Sequence, residues 1–141
     1  MSEKKRLLIV DDDPDFADAI SEILRSAGYE TEIAHNPKTG WSALKSGNYD
    51  LLLLDIMMGR GAEGVMMARK IRKDRTLRNM PVLIITGMRE QIAFLFPGQA
   101  IHPRFVPVDE LVEKPVEPSL LLDRVRALIE ASEKLQAGGD E

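Results

Sequence analysis

Short apolar runs recur along the chain, and each of them ends abruptly in a polar side chain. Residues 7–10 are followed by Asp11, and residues 51–54 are followed by Asp55. Continuous apolar runs of this length are typical of strands that helices cover on both faces of a parallel sheet. Because such sheets bind ligands at the carboxyl ends of their strands, we expect these polar side chains to lie together at one edge.

Two further runs end in other functional groups. Residues 82–85 lead into Thr86, and a shorter stretch, 111–113, leads into Lys114. The strand ends would together supply carboxylates for a hard cation, a hydroxyl group and an ammonium group. This combination is suited to handling a phosphoryl group.

Helical patterns separate the predicted strands. Asp13 and Asn36 are each followed by a proline, which is typical of an N-cap and the first helical residue. Gly28 is placed to end the first helix, a glycine-rich loop spans 59–64, and Pro118 begins the last helix. Strands that alternate with helices predict an α/β fold, here a five-stranded parallel sheet with helices on both faces.

Length and composition narrow the classes of protein further. The 141 residues suit a single domain, 1–141, with a core over about residues 6–135 and a frayed tail at 136–141. There is no cysteine, which excludes disulfides and thiol chemistry, and the net charge of −4 gives no general footprint for nucleic acid. A basic cluster at 69–78 is predicted to be a solvated helix face and loop. No apolar stretch approaches the length of a signal or transmembrane segment, so we expect a cytoplasmic protein.

Three carboxylates are candidates for a metal site. Asp11 and Asp12 follow the first strand and Asp55 follows the third, so they converge if those two strands are neighbours. Carboxylates this close repel one another, and a hard divalent cation such as Mg²⁺ is the usual remedy. A carboxylate can also accept a phosphoryl group, and Asp55, which stands alone after the most apolar run, is the best candidate. Thr86 and Lys114 would then interact with the anionic oxygens.

The complete pattern resembles the receiver domain of two-component response regulators, over about residues 6–135. The matching motifs are Asp11-Asp12, Asp55 within Leu-Leu-Leu-Leu-Asp-Ile-Met-Met, Thr86 within Ile-Ile-Thr-Gly, and Lys114-Pro115. The resemblance implies a flavodoxin-like, doubly wound sheet with the strand order 2-1-3-4-5. It also implies a cis peptide bond between Lys114 and Pro115.

The resemblance further implies a role for each acidic residue. Asp12 and Asp55 would bind Mg²⁺ directly, Asp11 would bind it mostly through water, and the backbone carbonyl of Met57 would be the remaining protein ligand. Asp55 would take a phosphoryl group from the phosphohistidine of a sensor histidine kinase or a phosphotransfer protein.

The same resemblance implies a signalling module rather than an enzyme that acts on a separate substrate. Thr86 and Lys114 would bind the phosphoryl oxygens, and the phosphorylated state would change a surface that binds a downstream protein. No output region follows the last helix in this sequence, so we expect the signal to pass through that protein or through a region beyond the sequence. We expect no direct binding of nucleic acid and no membrane insertion.

Three features depart from the usual family pattern. Gly59 stands where a proline is usual, and Leu111 replaces an aromatic residue that usually moves together with the threonine of the site. Thr86 and Lys114 are 28 positions apart, several more than usual. We therefore expect the segment 87–107, rather than an aromatic switch, to change most on phosphorylation and to bind the partner.

Two alternatives stay open at this point. A phosphatase of the haloacid-dehalogenase type needs Asp-x-Asp after one strand, which Asp11 and Asp13 formally supply. That reading leaves Asp55 and Thr86 unexplained. The other alternative is a receiver-like scaffold that is not phosphorylated, and the intact set of polar strand ends argues against it.

Overall fold

A parallel sheet forms the centre of the protein. The computed structural model describes residues 4–56, 58, 63–87 and 109–139. The strands of this part of the chain are β1 (Arg6–Val10), β2 (Glu30–Ala34), β3 (Leu51–Asp55), β4 (Val82–Thr86) and β5 (Glu110–Glu113). They pair in parallel in the order β2-β1-β3-β4-β5, which confirms the predicted doubly wound fold and its strand order.

Helices pack on both faces of the sheet. The described helices are α1 (Pro14–Ser26), α2 (Pro37–Ser46), α3 (Glu63–Lys73) and α4 (Pro118–Gly139). Because side chains of a strand alternate between its faces, Leu7 and Ile9 of β1 join the core beneath α1 and α4, whereas Leu8 and Val10 join the core beneath α2 and α3. Both faces of the central strands are therefore buried, as their continuous apolar runs predict.

Side-chain caps begin the helices where the sequence predicts them. The Asp13 carboxylate accepts hydrogen bonds from the backbone N–H groups of Asp15 and Phe16, at 3.1 and 3.2 Å. Asn36 Oδ1 accepts one from the N–H of Thr39 at 2.8 Å. Gly28, which follows α1, has a φ of 100°, a conformation that favours glycine.

The start of α3 differs from the prediction. The sequence suggests a loop through Gly64, but the helix begins at Glu63 and Gly64 lies in its first turn. A Cβ atom on Gly64 would lie 2.4 Å from the carbonyl oxygen of Asp55 and 2.6 Å from Cα of Ile56. The glycine is thus required by the close approach of α3 to the end of β3, a contact that local sequence does not report.

The end of the chain also differs. The sequence suggests a frayed tail from residue 136, but α4 continues to Gly139. Glutamine and alanine at 136 and 137 are good helix formers, so the helix extends into the glycine pair. None of the helices in the described ranges is long and apolar enough to cross a membrane.

Several predicted features lie outside the described residues. They are Met57, Gly59, all but the first residue of the segment 87–107 that is expected to change on phosphorylation, and the terminal residues 140 and 141.

Candidate functional site

Three carboxylates meet where β1 and β3 end. The pairing of these strands, with Val10 opposite Leu54, places Asp11 and Asp55 side by side at the carboxyl edge of the sheet. Ligand oxygens of Asp11, Asp12 and Asp55 all lie within 4.8 Å of one another. Asp11 is 1% exposed and Asp55 is 6% exposed, whereas Asp12 faces solvent. The convergence that the sequence predicts is therefore present, with one open side.

Lys114 provides a positive charge beside this acidic cluster. Its Nζ lies 3.4 Å from Asp11 Oδ2 and 3.9 Å from Asp55 Oδ2. The backbone of Lys114 is held by a hydrogen bond, because its N–H donates to the carbonyl of Thr86 at 2.7 Å where β5 runs beside β4. The Lys114–Pro115 peptide bond is cis, as the resemblance implies.

Phe16 contacts Lys114 beside the acidic cluster, which the sequence did not predict. Lys114 Nζ lies 4.0 Å from the centroid of its ring, which is the geometry of a cation–π interaction. Helical spacing indicates only that Phe16 packs inward from α1. Its place in the first turn, just after the Asp13 cap, is the signal that could have indicated a position near the strand ends.

The two oxygens of Asp11 have different partners. Oδ1 accepts a hydrogen bond from the N–H of Asp13 at 2.9 Å, and Oδ2 faces Lys114. The backbone of Asp11 is held as well, since its N–H donates to the carbonyl of Ala34 at 3.1 Å and its carbonyl lies 3.3 Å from Nδ1 of His35. Asp11 is thus rigidly oriented, while Asp13 serves as the cap of α1.

Thr86 is the fourth predicted residue of the site, and it lies at the end of β4. Its side chain is fully buried, and its hydroxyl group has no hydrogen-bond partner within the part of the chain that the structure describes. A buried, unsatisfied polar group costs about 1–3 kcal/mol. Such groups are rare in native proteins and call for an explanation, of which a missing ligand is one.

The donor set fits a hard divalent cation. All three clustered groups are carboxylates, and Mg²⁺ prefers oxygen ligands and is usually held by one or two carboxylates together with water and phosphate oxygens. The exposure of Asp12 leaves a side of the cluster open to water and to an incoming group. Met57, the further ligand that the resemblance implies, lies outside the described residues.

Comparison with known sequences identifies the family. The sequence profile of the response regulator receiver domain matches residues 7–126. The transcriptional regulatory protein YkoG of Bacillus subtilis is 35% identical over 127 residues, which cover 90% of this chain and 52% of YkoG. The phosphate regulon transcriptional regulatory protein PhoB of Pseudomonas aeruginosa is 30% identical over 125 residues, which cover 89% of this chain and 52% of PhoB. The chain spans about half of the length of these curated relatives.

Solved structures agree with this result. A CheY-like response regulator receiver domain protein from Methanospirillum hungatei superposes with a TM-score of 0.78 at 30% identity, over 94% of this chain and 98% of that one. NtrX of Brucella abortus, at 24% identity, shares the fold with a TM-score of 0.81 over 98% of this chain and 30% of that one. From the family profile, the relatives and the fold together, this chain belongs to the response regulator receiver domain family.

Proposed function

We propose that this chain is a phosphoacceptor module in which Asp55 takes the phosphoryl group. The observation that carries the proposal is the meeting of a nearly buried Asp55 with the Lys114 ammonium and two further carboxylates at the carboxyl edge of the sheet. Asp11 is committed to the N–H of Asp13 and to Lys114, and Asp12 stands at the exposed side of the cluster. Asp55 is therefore the carboxylate best placed to act as the nucleophile.

The proposed donor is the phosphohistidine of a sensor histidine kinase or a phosphotransfer protein. An oxygen of Asp55 forms a bond to phosphorus while the bond between phosphorus and the histidine nitrogen breaks, and that nitrogen keeps the electron pair. A kinase of this kind acts from the cytoplasm, so the proposal places the chain there too.

Asp11, Asp12 and Asp55 would hold Mg²⁺, together with the backbone carbonyl of Met57. The bound ion would offset the negative charge that the carboxylates and the phosphoryl oxygens bring together. Lys114 adds a second positive charge at a distance of 3.9 Å from Asp55. This charge remains after the transfer, when the phosphoryl group has added about 1.5 to 2 negative charges at neutral pH.

Thr86 would respond to the new phosphoryl group. Its buried hydroxyl is without a partner in the described residues, so a phosphoryl oxygen would offer it a charge-assisted hydrogen bond. Movement of Thr86 would then pass to the residues that follow β4 and change a surface that a downstream protein binds. For PhoB and YkoG the downstream step is transcriptional regulation, as their names state.

Incubation with acetyl phosphate and Mg²⁺ tests the proposal. Borohydride reduction followed by peptide mass spectrometry should place the labile adduct on Asp55, and Asp55→Asn should abolish it. Asp13→Asn is the matched control, because asparagine also caps helices and the adduct should remain on Asp55. An adduct on Asp11, Asp12 or Asp13, or no adduct in the wild type, would refute the assignment.

The phosphatase alternative is disfavoured by a specific contact. It requires Asp13 as the acid–base partner of Asp11, but the Asp13 carboxylate accepts hydrogen bonds from two backbone N–H groups of α1. We therefore expect no turnover of a small phosphoester such as p-nitrophenyl phosphate.

A further inference from the structure

A groove with a volume of about 1030 Å³ lies between α2 and α3, outside the acidic cluster. Trp41 and Met66 are among the apolar side chains that line it. Met66 is 66% exposed, although large hydrophobic side chains in the described ranges are otherwise buried or half-buried with the exceptions of Leu120 and Leu135. An exposed methionine beside a tryptophan forms an adaptable apolar surface, because the thioether side chain is flexible and polarisable.

The charge around the groove is strongly positive. The cationic side chains that line it are Lys38, Arg69, Lys70 and Lys73, and Glu63 is the acidic one. The whole chain carries a net charge of −4, so the charge around the groove is opposite in sign to the net charge of the chain. Lys70 lies over the Trp41 ring, with its Nζ 4.1 Å from the ring centroid, and so places its charge directly at the apolar surface.

Two neighbouring basic residues outside the groove lining form hydrogen bonds and ion pairs within the fold. Arg72 donates to the carbonyl of Met80 at 2.7 Å and pairs with Asp109 at 2.6 Å, which ties α3 to the start of β5. Lys45 donates to Asp74 at 2.8 Å, and this bond is the main reason that the pKa of Asp74 is held below its usual range. Within the basic cluster at 69–78, Arg72 is half-buried and makes structural contacts, whereas its other basic residues are exposed, as the prediction of a solvated face and loop requires.

Lys38 and Lys73 have no such role. Both are exposed, and neither has a carboxylate partner in the part of the chain described by the structure. They line the groove together with Lys70, so the charges of Lys38 and Lys73 are not neutralised by a carboxylate of the described residues.

We propose that the groove between α2 and α3 binds an acidic segment of another protein, one that places an apolar or aromatic side chain against Trp41 and Met66. The cations around the groove would pair with the carboxylates of that segment, and the apolar centre would bury its hydrophobic side chain. Nucleic acid is a poorer fit, because the apolar surface would remain uncovered and the chain as a whole is anionic. The proposal does not depend on the phosphorylation of Asp55.

Trp41 makes a direct test possible, because it is the single tryptophan of the chain. The probe is a synthetic amphipathic peptide with leucine and phenylalanine on one helical face and aspartate and glutamate elsewhere. Titration of this peptide should shift the Trp41 emission saturably, and the apparent affinity should fall as salt is added. A peptide with serine in place of the leucine and phenylalanine residues should bind at least about tenfold more weakly.

Matched variants separate the groove from the rest of the surface. Lys73→Glu should lower the affinity by about tenfold or more, whereas Lys134→Glu on α4, which makes the same charge change, should leave it unchanged. Met66→Ser should weaken binding, whereas Leu135→Ser, which removes an apolar side chain that is 78% exposed, should not. Circular dichroism verifies that each exposed-site variant is folded.

Other outcomes would overturn the proposal. They include a missing or unsaturable change in Trp41 emission, equal losses in Lys73→Glu and Lys134→Glu, and tighter binding of a single-stranded oligonucleotide than of the peptide. A change of emission with protein concentration alone, matched by dimer formation in sedimentation, would assign the groove to a second copy of this chain.

Discussion

The amino and carboxyl edges of the sheet differ in how their charged side chains are paired. At the amino edge, the backbone N–H of Arg6 donates to Asp50 at 2.9 Å, and its guanidinium pairs with Glu32 at 3.3 Å. The guanidinium also lies 4.9 Å from the centroid of the Tyr49 ring, and Tyr49 donates its hydroxyl hydrogen to Glu32. These charged side chains therefore each have a partner of opposite sign or a hydrogen bond.

The carboxyl edge has an excess of one sign. Asp11, Asp12 and Asp55 crowd together beside Lys114, and the buried hydroxyl of Thr86 is unsatisfied within the described residues. Both edges belong to the same strands, so the difference does not come from the fold itself. Under the proposed function, Mg²⁺ and a phosphoryl group would complete the carboxyl edge, whereas the groups named at the amino edge already pair with one another. Removal of the unsatisfied hydroxyl group at the carboxyl edge should consequently raise the free energy of unfolding, whereas removal of a paired group at the amino edge should lower it.

The largest effect is expected for removal of a metal-ligand charge. Asp12→Asn should weaken Mg²⁺ binding by more than about tenfold, because even residues that only support metal ligands change affinity by about 10–100-fold. Isothermal calorimetry measures this, and Asp18→Asn, an exposed change on α1, is the control. Equal Mg²⁺ affinity in Asp12→Asn and the wild type would remove Asp12 from the site.

The next effect concerns the unsatisfied hydroxyl group. Thr86→Val keeps the shape of the side chain and removes a buried polar group, so it should raise the free energy of unfolding by about 1–3 kcal/mol in the absence of Mg²⁺ and phosphodonor. Thr31→Val is the contrasting control, because Thr31 Oγ1 shares a 2.6 Å hydrogen bond with Ser21. That variant should be destabilised. Urea unfolding measures both, and destabilisation of both to the same extent would show that Thr86 is not held unsatisfied.

At the amino edge, Tyr49 should make stability depend on alkaline pH. Burial, and then the hydrogen bond to Glu32 and the charge of that carboxylate, raises the pKa of Tyr49 to about 12. Since the unfolded value is about 10, the unfolded chain loses this proton first, so the stabilisation is complete below about pH 10 and is lost towards about pH 12.

Tyr49→Phe tests this pH dependence. Loss of the hydrogen bond should lower the free energy of unfolding by about 0.5–1.5 kcal/mol at neutral pH. The difference in this free energy between the variant and the wild type should shrink as the pH rises above about 10. Urea unfolding at a series of pH values measures it. Tyr29 is expected to contribute to any loss of stability that the variant still shows at alkaline pH, since burial raises the pKa of Tyr29 as well. A constant difference between the variant and the wild type would contradict the assignment.

The smallest effect is the coupling between Phe16 and Lys114. A cation–π interaction at a half-exposed position contributes about 0.5–1 kcal/mol. A double-mutant cycle with Phe16→Leu and Lys114→Met should report a coupling free energy of this size, whereas a cycle that uses Phe16→Tyr should report little, because tyrosine keeps the ring face. A coupling of zero in the first cycle would mean that the 4.0 Å contact is only packing.

Much of the fold could be predicted from the sequence because its signals are local. The apolar runs before Asp11 and Asp55 indicate buried parallel strands, and Asp13 and Asn36 cap helices through hydrogen bonds to residues at most three positions away. The candidate site followed from the same pattern, since parallel strands bring their carboxyl ends to one edge.

Other features could not be read from the sequence, because they depend on contacts between distant elements. The sequence predicts that Gly64 belongs to a loop, whereas the structure places it against the backbone of Asp55 and Ile56. The helical spacing of Phe16 predicts only a core residue, whereas the structure places Lys114, which follows β5, over its ring.

The sequence by itself determined the order of strands and helices, the polar group at each strand end and the family to which the chain belongs. The tertiary structure decided which of these groups have partners. Lys114 faces Asp11 across 103 positions of sequence, Thr86 is buried without a partner in the described residues, and Lys70 covers Trp41 from another helix. The physical reason is that apolar periodicity and caps act over a few residues, whereas the neutralisation of a charge depends on distances that only the packed elements define.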